Sequence, residues 1–316
     1  MSAPPSLSVV TTTHNGERFL PTALASILDQ SFTDFEYILV DDGSTDGTPD
    51  ILVDYASRDA RIHLIRNDQP LGPGGALNQA LQAARGRYVA NLDHDDLARP
   101  ARLEKQAAYL DWHPAVGVLG AWAEVISAAD KVVKTWKYPV RPALAHWGMY
   151  FSATVLHSAV MARRELLLQA GGYSAYHRFT VDYQLWLRLL WQTQFANLPH
   201  CLAAYRISPE QASMRQADLQ HGQVILAQQA ALGRLLGRRP DLQAVLDLTL
   251  ARSGRRLRDA AAVRRAAHLL QRAALAYRRA ANLSPGDQQR LALDLARRIS
   301  RLKPEKSALL AGQSGA

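Results

Sequence analysis

The chain has 316 residues, 48% of them hydrophobic and 21% charged, which suits one large globular domain, or a domain with an appendage, and is too apolar for a disordered chain. Its formal charge of +9 is unevenly placed: residues 1–214 hold 18 Lys and Arg against 21 Asp and Glu, whereas residues 215–316 hold 19 against 7, a net +12. The basic excess belongs to a tail with no aromatic residue beyond Tyr277, so it lacks the stacking side chains of a single-strand nucleic-acid binder.

No apolar run approaches the roughly 20 residues of a membrane span. The opening MSAPPSLSVV lacks the charged and apolar regions of a secretory leader, so the expectation is a cytoplasmic protein. The lone Cys201 has no partner for a disulfide or a cysteine zinc site.

Up to about residue 120, short β-branched runs alternate with segments of helical period. LSVVTTT is followed by a helix over 18–29, FEYILV by one over 48–58, RIHLIR by one over 75–84, and RYVANL by one over 101–112. That alternation predicts an α/β fold with a mostly parallel sheet covered on both faces. Ligands of such sheets bind at the carboxyl ends of the strands, where TTHNGE, DDGSTDG and DHDD fall. From 116 to 214 the pattern turns mixed, with strands in VGVLGAWAEVIS and KVVKTWKYPV, a turn at AADK, a strand near 154–161 and a helix over about 182–194. Beyond 215 the composition shifts to Ala, Leu, Arg and Gln, with Val263, Leu270, Ala274 and Tyr277 at spacings of three and four. This predicts helices broken near Arg239-Pro240, Ser253-Gly254 and Ser284-Pro285-Gly286, with a frayed QSGA end.

Each polar cluster admits two readings. Asp93, Asp95 and Asp96 repel one another unless a cation or strong donors compensate, and hard carboxylate oxygens suit Mg²⁺ or Mn²⁺. Equally, Asp95 or Asp96 could cap the helix near Pro100. In VDDGSTDGT, Asp41 or Asp42 could accept from a nucleobase edge or a ribose, or the segment is simply a turn. In TTTHNGERFL, Asn15 could cap a helix, or His14 could lie against a base. LGPGGALNQAL could cradle phosphate, but it matches neither G-x-G-x-x-G nor a Walker lysine motif. Asp182, opening VDYQLWLRLL, could cap its helix or take a proton from a hydroxyl.

Taken in order, SVVTTTHNGERFLPTALASILDQSFTDFEYILVDDGSTDGT, RGRYVANLDHDDLARPARLEKQ, LHSAVMARRELLLQAGGY and VDYQLWLRLL resemble the family 2 glycosyltransferases of the GT-A fold. The resemblance spans residues 6–214 and leaves the tail out. It implies a catalytic domain over 1–214, with a nucleotide-sugar half (1–115) and an acceptor half (116–214), followed by a basic helical region over 215–316. It further implies that Thr12, Thr13, His14, Asn15 and Glu17 surround the base and that Asp42, with Asp41 beside it, contacts the uracil edge. Asn78 is expected as a further nucleotide contact. Asp93 and Asp95 match the D-x-D motif, with Asp95 as the direct ligand of Mn²⁺ or Mg²⁺ and Asp93 nearer ribose and diphosphate. Asp182 matches the catalytic base of inverting members. Two departures stand out: Thr12-Thr13-His14-Asn15 where the family often has Pro-x-Tyr-Asn, and Val181-Asp182 where it often has Glu-Asp.

The implied function is metal-dependent, inverting transfer of a sugar from a UDP-sugar to a hydroxyl of a glycan or lipid-linked acceptor in cell-surface polysaccharide synthesis. The rival is a sugar-nucleotide-binding or nucleotidyltransferase-like protein without glycosyl transfer, which would not require Asp182. For the tail, the expectations are amphipathic helices packed on the catalytic domain, peripheral contact with the inner face of the membrane, or homodimerisation.

Overall fold

A computed structural model describes residues 5–175, 180–208 and 217–304, the backbone alone for 217–220. The expected boundary at 214/215 and the QSGA end lie outside the described residues. The chain forms two compact units, Met1–Ala145 with Ala153–Ala217, and His146–Ser152 with Asp218–Ala316.

The first unit begins β1 (Leu7–Thr13), α1 (Leu20–Leu28), β2 (Phe35–Asp41), α2 (Thr48–Arg58), β3 (Ile62–Arg66), α3 (Gly72–Ala83), β4 (Tyr88–Asn91), β5 (Leu97–Ala98) and α4 (Arg102–Trp112). β1, β2, β3 and β4 pair in parallel in the order β3-β2-β1-β4. Every residue of β2 is buried, as expected of a strand covered on both faces. On one face Leu7, Val9, Leu39 and Ala90 pack against Leu20, Leu24 and Ile27 of α1 and Leu103 and Leu110 of α4. α3 packs on β1 and β2 with Ala76, Leu77, Ala80 and Leu81 buried. Each fully buried Leu or Ile is worth about 1.5–3 kcal/mol, so this face commits the register.

The unit continues with β6 (Val116–Ser127), β7 (Val132–Trp136), the start of α5 (Pro142–Met149), whose residues from His146 on belong to the second unit, then β8 (Met161–Arg163), α6 (Arg164–Gln169), α7 (Val181–Leu189) and β9 (Gln194–Ile207). Here the sheet is mixed rather than parallel. β8 runs antiparallel to β4 and β6, β7 antiparallel to β6, β5 antiparallel to β9, and only β6 and β9 pair in parallel. The strand expected near 154–161 is a 3₁₀ turn over His157–Ala159 leading into the short β8. The expected AADK turn is present, with Asp130 in the left-handed region at φ 59°.

Register brings the site together. Thr13 pairs with Asp41 and Val10 with Asn91, so β1, β2 and β4 end on one rim. Backbone bonds extend that alignment past the strands, with Asp42 N donating to Thr13 O at 2.8 Å and Leu92 N to Val10 O at 3.0 Å.

The second unit contains α8 (Ala217–Leu236), α9 (Leu242–Arg252), α10 (Ala260–Ala280) and α11 (Pro285–Ser300). The side chains of Asp241, Asp259 and Ser284 cap the last three by accepting from the backbone of the third residue on. Trp147, Phe151 and Tyr277 form an aromatic core, and the Trp147 indole donates to Asp294 at 2.8 Å.

Candidate active site

The carboxylate cluster leaves β4 at the rim. The Asp93 side chain is 43% exposed, and its backbone N–H donates to Ser158 Oγ at 3.2 Å. That bond ties the cluster to the 3₁₀ turn, which antiparallel pairing of β8 with β4 sets alongside. His157, from the same turn, donates from Nδ1 to Asp93 Oδ1 at 3.1 Å. Partial desolvation would raise the Asp93 pKa, but the His157 charge and hydrogen bond outweigh it and hold the carboxyl at about 2.

Asp95 and Asp96 are braced from β9. Arg206 donates from Nε to the Asp95 carbonyl at 2.7 Å, and its backbone N–H donates to Asp96 Oδ1 at 2.7 Å. Asp96 is fully buried, and burial followed by the charges of Asp95 and Asp93 pushes its pKa well up. Asp96 does not cap the next helix: α4 starts from Ala101 without a side-chain cap bond. Beneath the cluster the buried Arg102 donates to the carbonyls of Asn91 at 2.7 Å and Val160 at 3.1 Å. Burial lowers its pKa to about 10, still protonated at neutrality.

Asp182 sits in the first turn of α7, whose N-cap is Thr180, so it does not take the capping role. One turn on, at i+4, Trp186 lies with its ring 6.5 Å from that of His157. Tyr173 meets the same imidazole edge-on at 5.9 Å. Burial raises the Asp182 pKa, His157 opposes the rise, and Asp93 adds to it. His157 in turn is held above its ordinary value: burial works against its charge, and the neighbouring Asp93 and then Asp182 more than compensate. Asp93, His157 and Asp182 therefore act on one another's ionisation.

At the other end of the rim the loops after β1 and β2 are laced together. Asn15, at φ 55°, accepts from Thr45 N at 2.8 Å and donates from its backbone to Ser44 Oγ at 2.9 Å. Glu17 accepts from Gly47 N at 2.7 Å. The exposed His14 ring donates from Nδ1 to the Asp42 carbonyl at 2.8 Å. Thr12 is half-buried and Thr13 buried, both at the end of β1. Asp41 is buried, accepts from Ser44 N at 3.0 Å and faces Arg66 Nε at 3.5 Å. The Asp42 carboxylate accepts from Asn67 Nδ2 at 2.9 Å and from the backbone of Leu71 and Gly72, each at 2.8 Å, so it shapes the turn before α3.

These residues share the rim with Asp93 and Asp95, while Asn78 reaches the site through Tyr173, whose ring meets His157. The Asn78 amide bonds both ways to the backbone of Tyr173, donating to the carbonyl and accepting from N–H, each at 2.7 Å. His157, Arg102 and Arg206 carry no local signal in the sequence. Their partners lie 64, 11 and 110 positions away, and only the pairing of β8 with β4 and the placement of α4 and β9 bring them in.

Among the described residues no three His, Cys, Asp or Glu side chains form a preformed metal cage. The donor set at the rim, the part-exposed Asp93 and Asp95, nonetheless fits Mg²⁺ or Mn²⁺. Such ions are commonly held by one or two carboxylates and complete their shell with substrate phosphates and water.

Comparison with known proteins agrees with this architecture. Residues 8–171 match the model of glycosyl transferase family 2. An uncharacterised glycosyltransferase of Methanocaldococcus jannaschii is 32% identical over 208 residues, covering 64% of this chain and 71% of the relative. The putative teichuronic acid biosynthesis glycosyltransferase TuaG of Bacillus subtilis is 44% identical over 106 residues, 34% of this chain and 42% of that one. Among solved structures, Staphylococcus aureus TarS 1–349 in complex with UDP-GlcNAc superposes with a TM-score of 0.62 at 18% identity, over 94% of this chain and 89% of that fragment. The chain spans 53% of the longer TarS chain. The mannosyltransferase PcManGT from Pyrobaculum calidifontis, in complex with GDP-Man and Mn²⁺, gives 0.56 at 21% identity over 93% of this chain and 81% of that one. The likeness to these structures is one of fold. A family match across more than half of the sequence, and a relative matched over most of its length, decide the question: this chain is a transferase and belongs to glycosyltransferase family 2.

Proposed function

We propose that this glycosyltransferase moves a sugar from a nucleoside diphosphate sugar, UDP favoured, to a hydroxyl of a glycan or lipid-linked acceptor, with inversion at the anomeric carbon and with Mn²⁺ or Mg²⁺. The single observation that carries the reading is His157 standing between the two carboxylates, hydrogen-bonded to Asp93 at 3.1 Å and with its ring 6.5 Å from Trp186, one turn along α7 from Asp182. It supports a donor-side carboxylate and a proton acceptor serving one reaction centre. TarS and PcManGT, described with UDP-GlcNAc and with GDP-Man and Mn²⁺, support the donor class, and TuaG supports a setting in cell-surface polysaccharide synthesis.

In this mechanism Asp95 and Asp93 would hold the cation, and through it the diphosphate. When bound, the cation neutralises charge developing on the departing diphosphate. His157 fixes the Asp93 carboxylate through its 3.1 Å hydrogen bond. Thr12, Thr13, His14, Asn15, Glu17, Asp41 and Asp42 hold the nucleoside end of the donor. Asp182, kept basic by burial, takes the proton of the attacking hydroxyl. The same reading gives residues 1–214 the catalysis and the basic region 215–316 contact with an anionic membrane surface.

Transfer from a panel of UDP-, GDP- and dTDP-sugars, with and without Mn²⁺, tests it. The expected result is activity from one nucleotide class, abolished by chelation and by Asp95→Ala. Transfer untouched by both would end the metal-dependent reading.

A further inference from the structure

β7 carries a surface that the donor chemistry does not use. The Trp136 indole meets the Tyr205 ring of β9 at a centroid distance of 4.9 Å and an angle of 32°. Register explains the meeting. Val125 of β6 lies between Lys134 and Tyr205, and Ala123 lies between Trp136 and Ala203, so the two aromatic residues stand diagonally on one face. Ala123 and Ala203 offer only methyl groups beside the indole. The Lys134 ammonium sits over the Trp136 ring at 5.5 Å. Lys131, Lys134 and Lys137 are all exposed, and KVVKTWK contains no acid. Asp130, just before it, is engaged by Arg206 at 2.6 Å.

This surface shares β9 with the brace of the carboxylate cluster: Tyr205 precedes Arg206, which holds Asp95 and Asp96 from the opposite face of the strand. Tyr138, two residues beyond Trp136, is half-buried, and after desolvation itself the groups that raise its pKa are Tyr205, Asp182 and Asp96. Tyr138 therefore lies within electrostatic reach of both the aromatic pair and the proposed base, and the Trp122 indole fixes its backbone by donating to its carbonyl at 2.9 Å.

We propose that Trp136 and Tyr205 form a stacking platform for a sugar ring of the acceptor, and that Lys134 selects acceptors with an anionic group, carboxylate or phosphate, next to that ring. An electron-rich ring face suits the C–H face of a pyranose, and part-exposed aromatics supply contact area at little entropic cost. The contact of Lys134 with the indole is weak at an exposed site, so an acceptor anion can draw the ammonium away from the ring. The platform takes its purpose from Asp182 acting as the base, so the test separates the two.

Neutral malto- and chito-oligosaccharides, oligogalacturonates and glycerol-phosphate oligomers are titrated calorimetrically into the full chain. The expected result is that an anionic series binds about tenfold or more tightly than the neutral ones. Lys134→Gln, at an exposed position, brings the anionic series down to the affinity of the neutral ones, and Trp136→Ala weakens both about tenfold while Trp136→Phe retains most of it. Which anionic series binds identifies carboxylate or phosphate. Equal binding of neutral and anionic series, binding unaffected by Trp136→Ala in a folded protein, or no binding by any series overturns the proposal. If Asp182→Asn binds these glycans normally and still transfers sugar at the wild-type rate, the base assignment fails while the platform stands.

Discussion

A carboxylate that is to accept a proton near neutrality needs a pKa above that of a free aspartate, and burial gives Asp182 such a shift. Its neighbour Asp93 is pushed the other way by His157, so two aspartates within one centre are suited to opposite tasks. In the proposed mechanism Asp182 acts ionised, so the acid limb of kcat/KM should fall at a pH above the ordinary aspartate value of 3.8. A rate profile that stays flat down to that value would mean that Asp182 is not the base. At this scale the sequence was partly legible. Strand-end aspartates announce themselves because charge at the end of an apolar run is costly unless used. His157 does not, since a histidine before a short apolar stretch is uninformative until β8 is known to pair with β4.

At the scale of elements, strand register holds the site, and the far end of the sheet helps hold the register. Glu36 of β2 is nearly buried and accepts from Ser8 Oγ at 2.6 Å, from Arg85 N at 2.7 Å and from Arg85 Nε at 2.8 Å. Burial raises its pKa, and these donors more than reverse the effect, so it lies below its ordinary 4.5. A folded-state pKa below the unfolded one stabilises fully above pH 4.5, and that contribution drains away as pH falls from there through the lowered value. Urea titrations should therefore show Glu36→Gln with a flatter loss of stability below pH 4.5 than the wild type; parallel acid limbs would contradict this. Beside it, a Cβ on Gly86 would stand 2.5 Å from the backbone of Leu7 and Ser8. Gly86→Ala should cost about 1–3 kcal/mol in the same titrations, and an unchanged midpoint would show that β1 and β4 can part there. Residues 7–112 were readable because parallel strands and their crossover helices are local in sequence. In the mixed half β6, β7, the AADK turn and α7 were readable as elements, but their pairing was not, because β8, β6 and β9 are set by contacts tens of residues apart, and the 3₁₀ turn at 157–159 read as strand from its apolar content.

For the whole molecule, charge is the feature that separates the two ends of the chain. α10 turns Ala262, Ala266, Leu269, Leu270, Ala273, Ala274 and Tyr277 inward, which leaves Arg264, Arg278 and Arg279 exposed. No helix among the described residues is long and apolar enough to cross a membrane. With that apolar face already used, any attachment through α10 must be mainly electrostatic. The full chain should sediment with anionic vesicles and not with neutral ones, and be released as salt shortens the Debye length from about 10 Å at 0.1 M to about 3 Å at 1 M. Combined Arg264→Glu, Arg278→Glu and Arg279→Glu should abolish sedimentation; persistence would assign these helices another role.

The central claim is that the D-x-D aspartates and Asp182 serve one reaction with separate duties. Asp182→Asn tests it most directly, with nucleotide and Mn²⁺ binding followed by thermal shift and transfer followed by initial rate. The account predicts wild-type stabilisation by nucleotide and Mn²⁺ together with transfer slowed about 10²–10⁴-fold, the range that one general base supplies. Transfer at the wild-type rate by this variant would contradict it.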